Sequence, residues 1–136
     1  MANRTVICIA LFAAACSQKT AEEKLLNDVG PAISWVATLK FAGEDWVSGR
    51  VPAFFVRLCV EDAQKAFDKA AKNVDQSVAR KALRDELRHQ IETSHAASEQ
   101  LQEAVEKNDR QAAARSVHQI SSASTALQIL QQKESG

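Results

Sequence analysis

Residues 83–105 read LRDELRHQIETSHAASEQLQEAV. Leu83, Leu87, Ile91, Leu101 and Val105 recur at helical spacing, with no glycine or proline between them. A stripe of this period buries one face of an amphipathic helix and leaves the other wet. The pattern predicts a long helix from about Gln76 to Lys107. Asn108-Asp109 then supplies a turn, with Asn108 placed to cap reciprocally with Gln111. The next helix carries Ala113, Val117, Ile120, Leu127 and Leu130 before a polar tail, whose last residues, 133–136, are expected to fray.

Working back towards the N-terminus, Asn73-Val-Asp75 reads as a short break. Before it, Phe55, Leu58, Cys59, Ala63, Phe67 and Ala70 mark the expected inner face of a helix that starts near Pro52. Glu61 with Lys65 and Asp68 with Lys72 are favourable i,i+4 pairs on its wet side. Ser48-Gly-Arg-Val-Pro52 is the clearest turn in the chain, with Gly49 suited to a left-handed helix end. The first helix begins at Thr20, where Thr20-Ala-Glu-Glu23 makes a capping box. Its apolar series Leu26, Val29, Ile33, Val36 and Leu39 is interrupted at Gly30-Pro31, where a kink or short break is expected.

These segments predict one all-α domain over residues 20–132, an antiparallel up-down-up-down four-helix bundle with short connections. A dimeric helical hairpin is the competing architecture, and a homodimer its consequence. A chain of 136 residues leaves room for one domain. Four glycines, two prolines and no tyrosine fit long helices.

The first residues read MANRTVICIALFAAAC, ending at Cys16. Arg4 gives a positive start, Val6 to Phe12 an apolar stretch, and Ala13-Ala14-Ala15 a small-residue cleavage site. That apolar stretch is far shorter than the ~20 residues that span a bilayer. The arrangement predicts a cleaved signal peptide over residues 1–15. Small residues followed directly by Cys16 resemble the lipobox of bacterial lipoproteins, in which the cysteine after the cut is lipidated. Ala14 and Ala15 match its small positions, whereas Ala13 stands where leucine is usual. The resemblance implies export, palmitate-type acylation of Cys16 and a tether of residues 16–19. It places the protein at the periplasmic face of the outer membrane in a Gram-negative host, and on the cell membrane otherwise. The alternative is ordinary secretion that leaves Cys16 a free thiol, open to a bond with Cys59.

Without the leader, whose only charged residue is Arg4, the chain keeps sixteen basic residues against seventeen acidic ones. Such a near-neutral domain lacks the basic excess that nucleic-acid binding needs. Arg80, Arg84 and Arg88 form a basic stripe, which Asp85, Glu86 and Glu92 lie near enough to neutralise. Cys59 lies in an apolar run and reads as a small core residue. Trp35 and Trp46 read as core or boundary residues, and would mark a partner face only if both were exposed.

His89, His95 and His118 show no metal-ligand spacing, and His89 and His95 fall on different faces of one helix. With the last helix folded back, His118 comes within about a turn of His95. Thr93–Ser98 and Ser121–Ala126 then lie roughly opposite. Their small residues suit close helix packing; alternatively Ser94, Ser98, Ser121 and Ser124 line a gap for a small polar ligand. The sequence around His118 resembles the helix of histidine phosphotransfer domains, with Ile120 at the apolar position. Ser121 and Ser122, however, replace the lysine and glycine that help the transfer. No nucleophile–base pair, phosphate loop, covalent-haem motif or Met/His haem pair is legible, so neither catalysis nor a cofactor is expected. The reading is a non-enzymatic envelope lipoprotein, a structural or protein-interaction module with an envelope protein as partner. The second reading is a periplasmic binding bundle that holds a metal, haem or small polar ligand between the last two helices.

Overall fold

The turns decide where each helix ends, and two of them are built alike. At Ser48-Gly49-Arg50, Gly49 adopts φ +76°, Gly49 N–H donates to Trp46 O, and Arg50 N–H donates to Asp45 O. At Lys107-Asn108-Asp109, Asn108 takes φ +53°, its N–H donates to Val105 O, and Asp109 N–H donates to Ala104 O. Both pairs of bonds satisfy the last carbonyls of a helix through a left-handed residue.

The computed structural model describes residues 20–135, so the leader, Cys16 and the tether lie outside the described residues. Described residues form five helices and no strand: α1 (Ala21–Asp28), α2 (Gly30–Val47), α3 (Ala53–Gln76), α4 (Lys81–Glu106) and α5 (Arg110–Glu134). The expected interruption at Gly30-Pro31 divides the first helix into α1 and α2, with Val29 between them. Thr20 caps α1 by accepting from Glu23 N–H at 3.1 Å. Consecutive long helices pack on each other, and α5 closes back against α2, while α2 and α4 meet only slightly.

Inside lies one continuous core. Leu39, Phe67, Leu87, Leu101, Ile120 and Leu127 fill it with large side chains. Between them sit Ala42 and Gly43 of α2, Ala63 and Ala70 of α3, Ala97 and Ala104 of α4, and Ala113 and Ala123 of α5. Small residues on every long helix let the backbones approach closely. The approach is tightest at Gly43, where a Cβ would stand 2.4 Å from Val117 Cγ2.

Four expectations need correction. First, α3 runs through Asn73-Val-Asp75 to Gln76, and the break falls at Ser77–Arg80. Val74 is fully buried and holds the helix to the core there, while Asn73 Nδ2 donates to Asp28 O at 3.2 Å. Second, the inner face of α3 is Val56, Cys59, Val60, Ala63, Phe67, Ala70 and Val74; Phe55 and Leu58 lie outside. Third, Asp109 caps α5 by accepting from Ala112 N–H at 3.0 Å, because Asn108 is taken up in closing α4. Fourth, α5 stays helical to Glu134, whose carboxylate pairs with Arg80, so the helix takes in the first two residues of the tail expected to fray; Gly136 lies outside the described residues.

Candidate functional site

His95 projects from α4 towards α3. Its Nε2 lies 3.8 Å from Asp68 Oδ1, and its Nδ1 lies 3.5 Å from Glu99 Oε1. The Phe67 ring stands 6.2 Å away, centroid to centroid, and tilted. Asp68 thus faces His95, and no Asp68–Lys72 pair forms among the described residues; the Glu61–Lys65 pair forms at 3.2 Å.

His118 lies on the outer face of α5, exposed on a shallow surface with Gln111, Ala114, Arg115 and Gln119. His95 and His118 share no partner, and His89 is exposed on α4. Among the described residues no group of three or more His, Cys, Asp or Glu side chains is placed to hold a metal ion.

Ser94, Ser98, Ser116 and Ser124 are buried, whereas Ser121 is half-buried. Ser98 Oγ donates to His95 O at 2.6 Å and accepts from Gln64 Nε2 at 3.4 Å. Ser116 Oγ donates to Ala112 O at 3.2 Å in the preceding turn, a common use of helical serine. Ser94 Oγ is fully buried without a hydrogen-bond partner among the described residues. A cleft of about 320 Å³ does open between α4 and α5, but near their turn. Gln100, Glu103, Lys107, Arg115 and Ser116 are among the residues lining it, and Ser94, Ser98, Ser121 and Ser124 are not.

Burial, with a contribution from the Asp62 carboxylate, pushes the Cys59 thiol above its ordinary pKa. Little reactive thiolate is then present at neutral pH, which fits a core residue rather than a nucleophile. Trp46 is buried and Trp35 half-buried against the core, so they do not form an exposed aromatic face.

The arginine stripe keeps one of the partners its sequence neighbours suggested, Asp85, and finds others farther along the chain. Arg80 pairs with Glu134, Arg88 with Asp75 and more distantly with Asp85, and Arg84 Nε donates to Ala79 O. Arg110, given no role by the sequence reading, donates to Trp46 O and Val47 O at 2.7 Å each and stacks on the Trp46 ring at 5.1 Å. A cation on the last carbonyls of α2 suits the negative end of that helix.

The most distinctive surface lies on α3. Phe54, Phe55 and Leu58 are 60%, 43% and 45% exposed, and they fall within the first two turns of the helix. Phe54 and Leu58 border a groove with Arg57, Glu61, Gln64 and Gln102. Comparison with protein families, curated proteins and solved structures returned no match to the chain.

Proposed function

We propose that this protein is a non-enzymatic cell-envelope lipoprotein, a helical protein-interaction module held near the membrane by acyl chains on Cys16. Export and acylation rest on the leader sequence. The interaction role rests on Phe54, Phe55 and Leu58, three large apolar side chains outside the core on one helix. A small domain gains nothing in stability from such side chains in water, and three of them within five positions of one helix suit a protein-binding surface. In this reading the four long helices form an up-down-up-down antiparallel bundle, a stiff spacer whose turns alternate between its two ends. A ligand-binding bundle is less favoured, because His95 engages Asp68 and Glu99 while the buried serines sit in helix packing.

Two arms test the reading in envelope preparations. Wild-type protein should fractionate with membranes, and Cys16→Ser should move to the soluble exported fraction. A photo-crosslinking residue at Phe54 should give a discrete adduct that Leu58→Ser weakens, while the same probe at exposed Ser122 gives none. Equal fractionation of wild type and Cys16→Ser contradicts the anchor; absence of any Phe54 adduct contradicts the interaction surface.

A further inference from the structure

The described chain begins at Thr20, four positions after Cys16. Extended backbone advances at most ~3.6 Å per residue, so the anchor lies within about 14 Å of the start of α1. Helices α3, α4 and α5 are about 36–39 Å in length at ~1.5 Å rise per residue. A lipid on Cys16 therefore holds that end of the molecule close to the bilayer.

That end has a defined structure. Arg80 N–H donates to Glu22 Oε1 at 3.0 Å, and the Arg80 guanidinium pairs with Glu134. The start of α1, the Ser77–Arg80 loop and the last turn of α5 are thereby joined. The turns at Ser48–Pro52 and Lys107–Asp109 are joined at the other end by Arg110 on Trp46 O and Val47 O.

Within the Ser77–Arg80 loop, Val78 is 90% exposed while its neighbour Ala79 is buried. The loop is held firmly around it: Ala79 N–H donates to Ser77 Oγ at 3.1 Å, and Arg84 Nε donates to Ala79 O at 3.0 Å. An apolar, β-branched side chain is thus fixed outward at the tip of the anchored end. Val78 also borders a cleft of about 270 Å³ in which Lys24, Asp28, Asn73 and Gln76 stand beside Ala21 and Leu25.

Charge at this end is compatible with a lipid surface. Glu22, Asp75 and Glu134 are bound to Arg80 or Arg88 rather than left free. Lys24 and Lys81 sit in exposed pairs with Asp28 and Asp85, which are weak enough to yield to lipid phosphate. Glu23 remains an exposed carboxylate without an ion pair among the described residues, so the face is mixed in charge and its apolar contact comes from Val78.

We infer that this end of the molecule is a membrane-docking face, with Val78 set into the lipid interface beside the acyl chains of Cys16. The inference rests on the anchor proposed above. Its test uses the acylated full-length protein in phosphatidylethanolamine–phosphatidylglycerol vesicles, with Cys59→Ala as background. An environment-sensitive fluorophore is attached at Val78→Cys or, as the far-end control, at Ser48→Cys. The Val78→Cys label should shift to the blue and be quenched by lipid-borne spin labels, while the Ser48→Cys label keeps its aqueous spectrum. Aqueous spectra at both positions, in a chain whose acyl mass on Cys16 has been verified, overturn the docking face and leave the anchor standing. A chain without that mass overturns both.

Discussion

Gly43 and Val117 meet where α2 comes closest to α5, and the space between them excludes even a methyl group. Val117 is β-branched with a restricted χ1, so it yields poorly to a new neighbour. Gly43→Ala should therefore cost about 1–3 kcal/mol in denaturant unfolding, despite alanine's better helix propensity. Adding Val117→Ala should recover part of that loss, since it removes the clashing methyl. Ser94 behaves in the opposite way. Its buried hydroxyl has no partner among the described residues, so Ser94→Ala should leave stability unchanged or raise it by up to ~1 kcal/mol. If Ser94 instead bound a ligand, the alanine variant would lose that ligand's stabilisation. Neither residue's role was legible in the sequence. A single glycine in a helical series does not name the side chain opposite it, and a serine in a polar stretch does not disclose whether it has a partner.

At the scale of elements, the inner faces of α4 and α5 were legible because their large apolar residues are widely spaced and mark a single face, although α4 begins at Lys81 and not at about Gln76, which ends α3. The start of α3 was harder. Phe54 to Val60 is apolar at every position but Arg57, so the 3.6-residue period selects no face within it. Ala63, Phe67, Ala70 and Val74 settle the inner stripe further along the helix, and extending it backwards picks Val56 and Val60 over Phe55 and Leu58. The break after α3 was misplaced for a related reason: Asn73 and Asp75 are turn formers by type, but Val74 between them is a core residue. The loop that does form depends on a long-range bond from Arg80 N–H to Glu22, which no local pattern encodes. That bond, the largest cause, holds the Glu22 carboxyl below its ordinary pKa of 4.5. A depressed carboxyl contributes stability fully above its ordinary value and loses it as pH falls through the folded value. Glu22→Gln should accordingly flatten the acid limb of a stability–pH profile below about pH 4.5 and leave the slope near neutrality unchanged. An unaltered acid limb would show that the bond does not operate in solution.

At the scale of the whole molecule, the described residues form a cohesive helical body with exposed aromatic side chains on α3, to which we propose an N-terminal anchor and a bilayer-facing end. Helical class was legible from periodicity and from the scarcity of glycine and proline. The exposed aromatic surface was not, because the sequence reading spent Phe55 and Leu58 on the core. No described helix is long and apolar enough to cross a membrane, and the attachment proposed above is through Cys16. The most direct measurement is intact and N-terminal peptide mass spectrometry of the protein purified from host membranes. The account predicts a chain that begins at Cys16 and carries the added mass of a diacylglyceryl group, which Cys16→Ser lacks. A chain that begins at Cys16 with an unmodified thiol, or one that still begins at Met1, would contradict it.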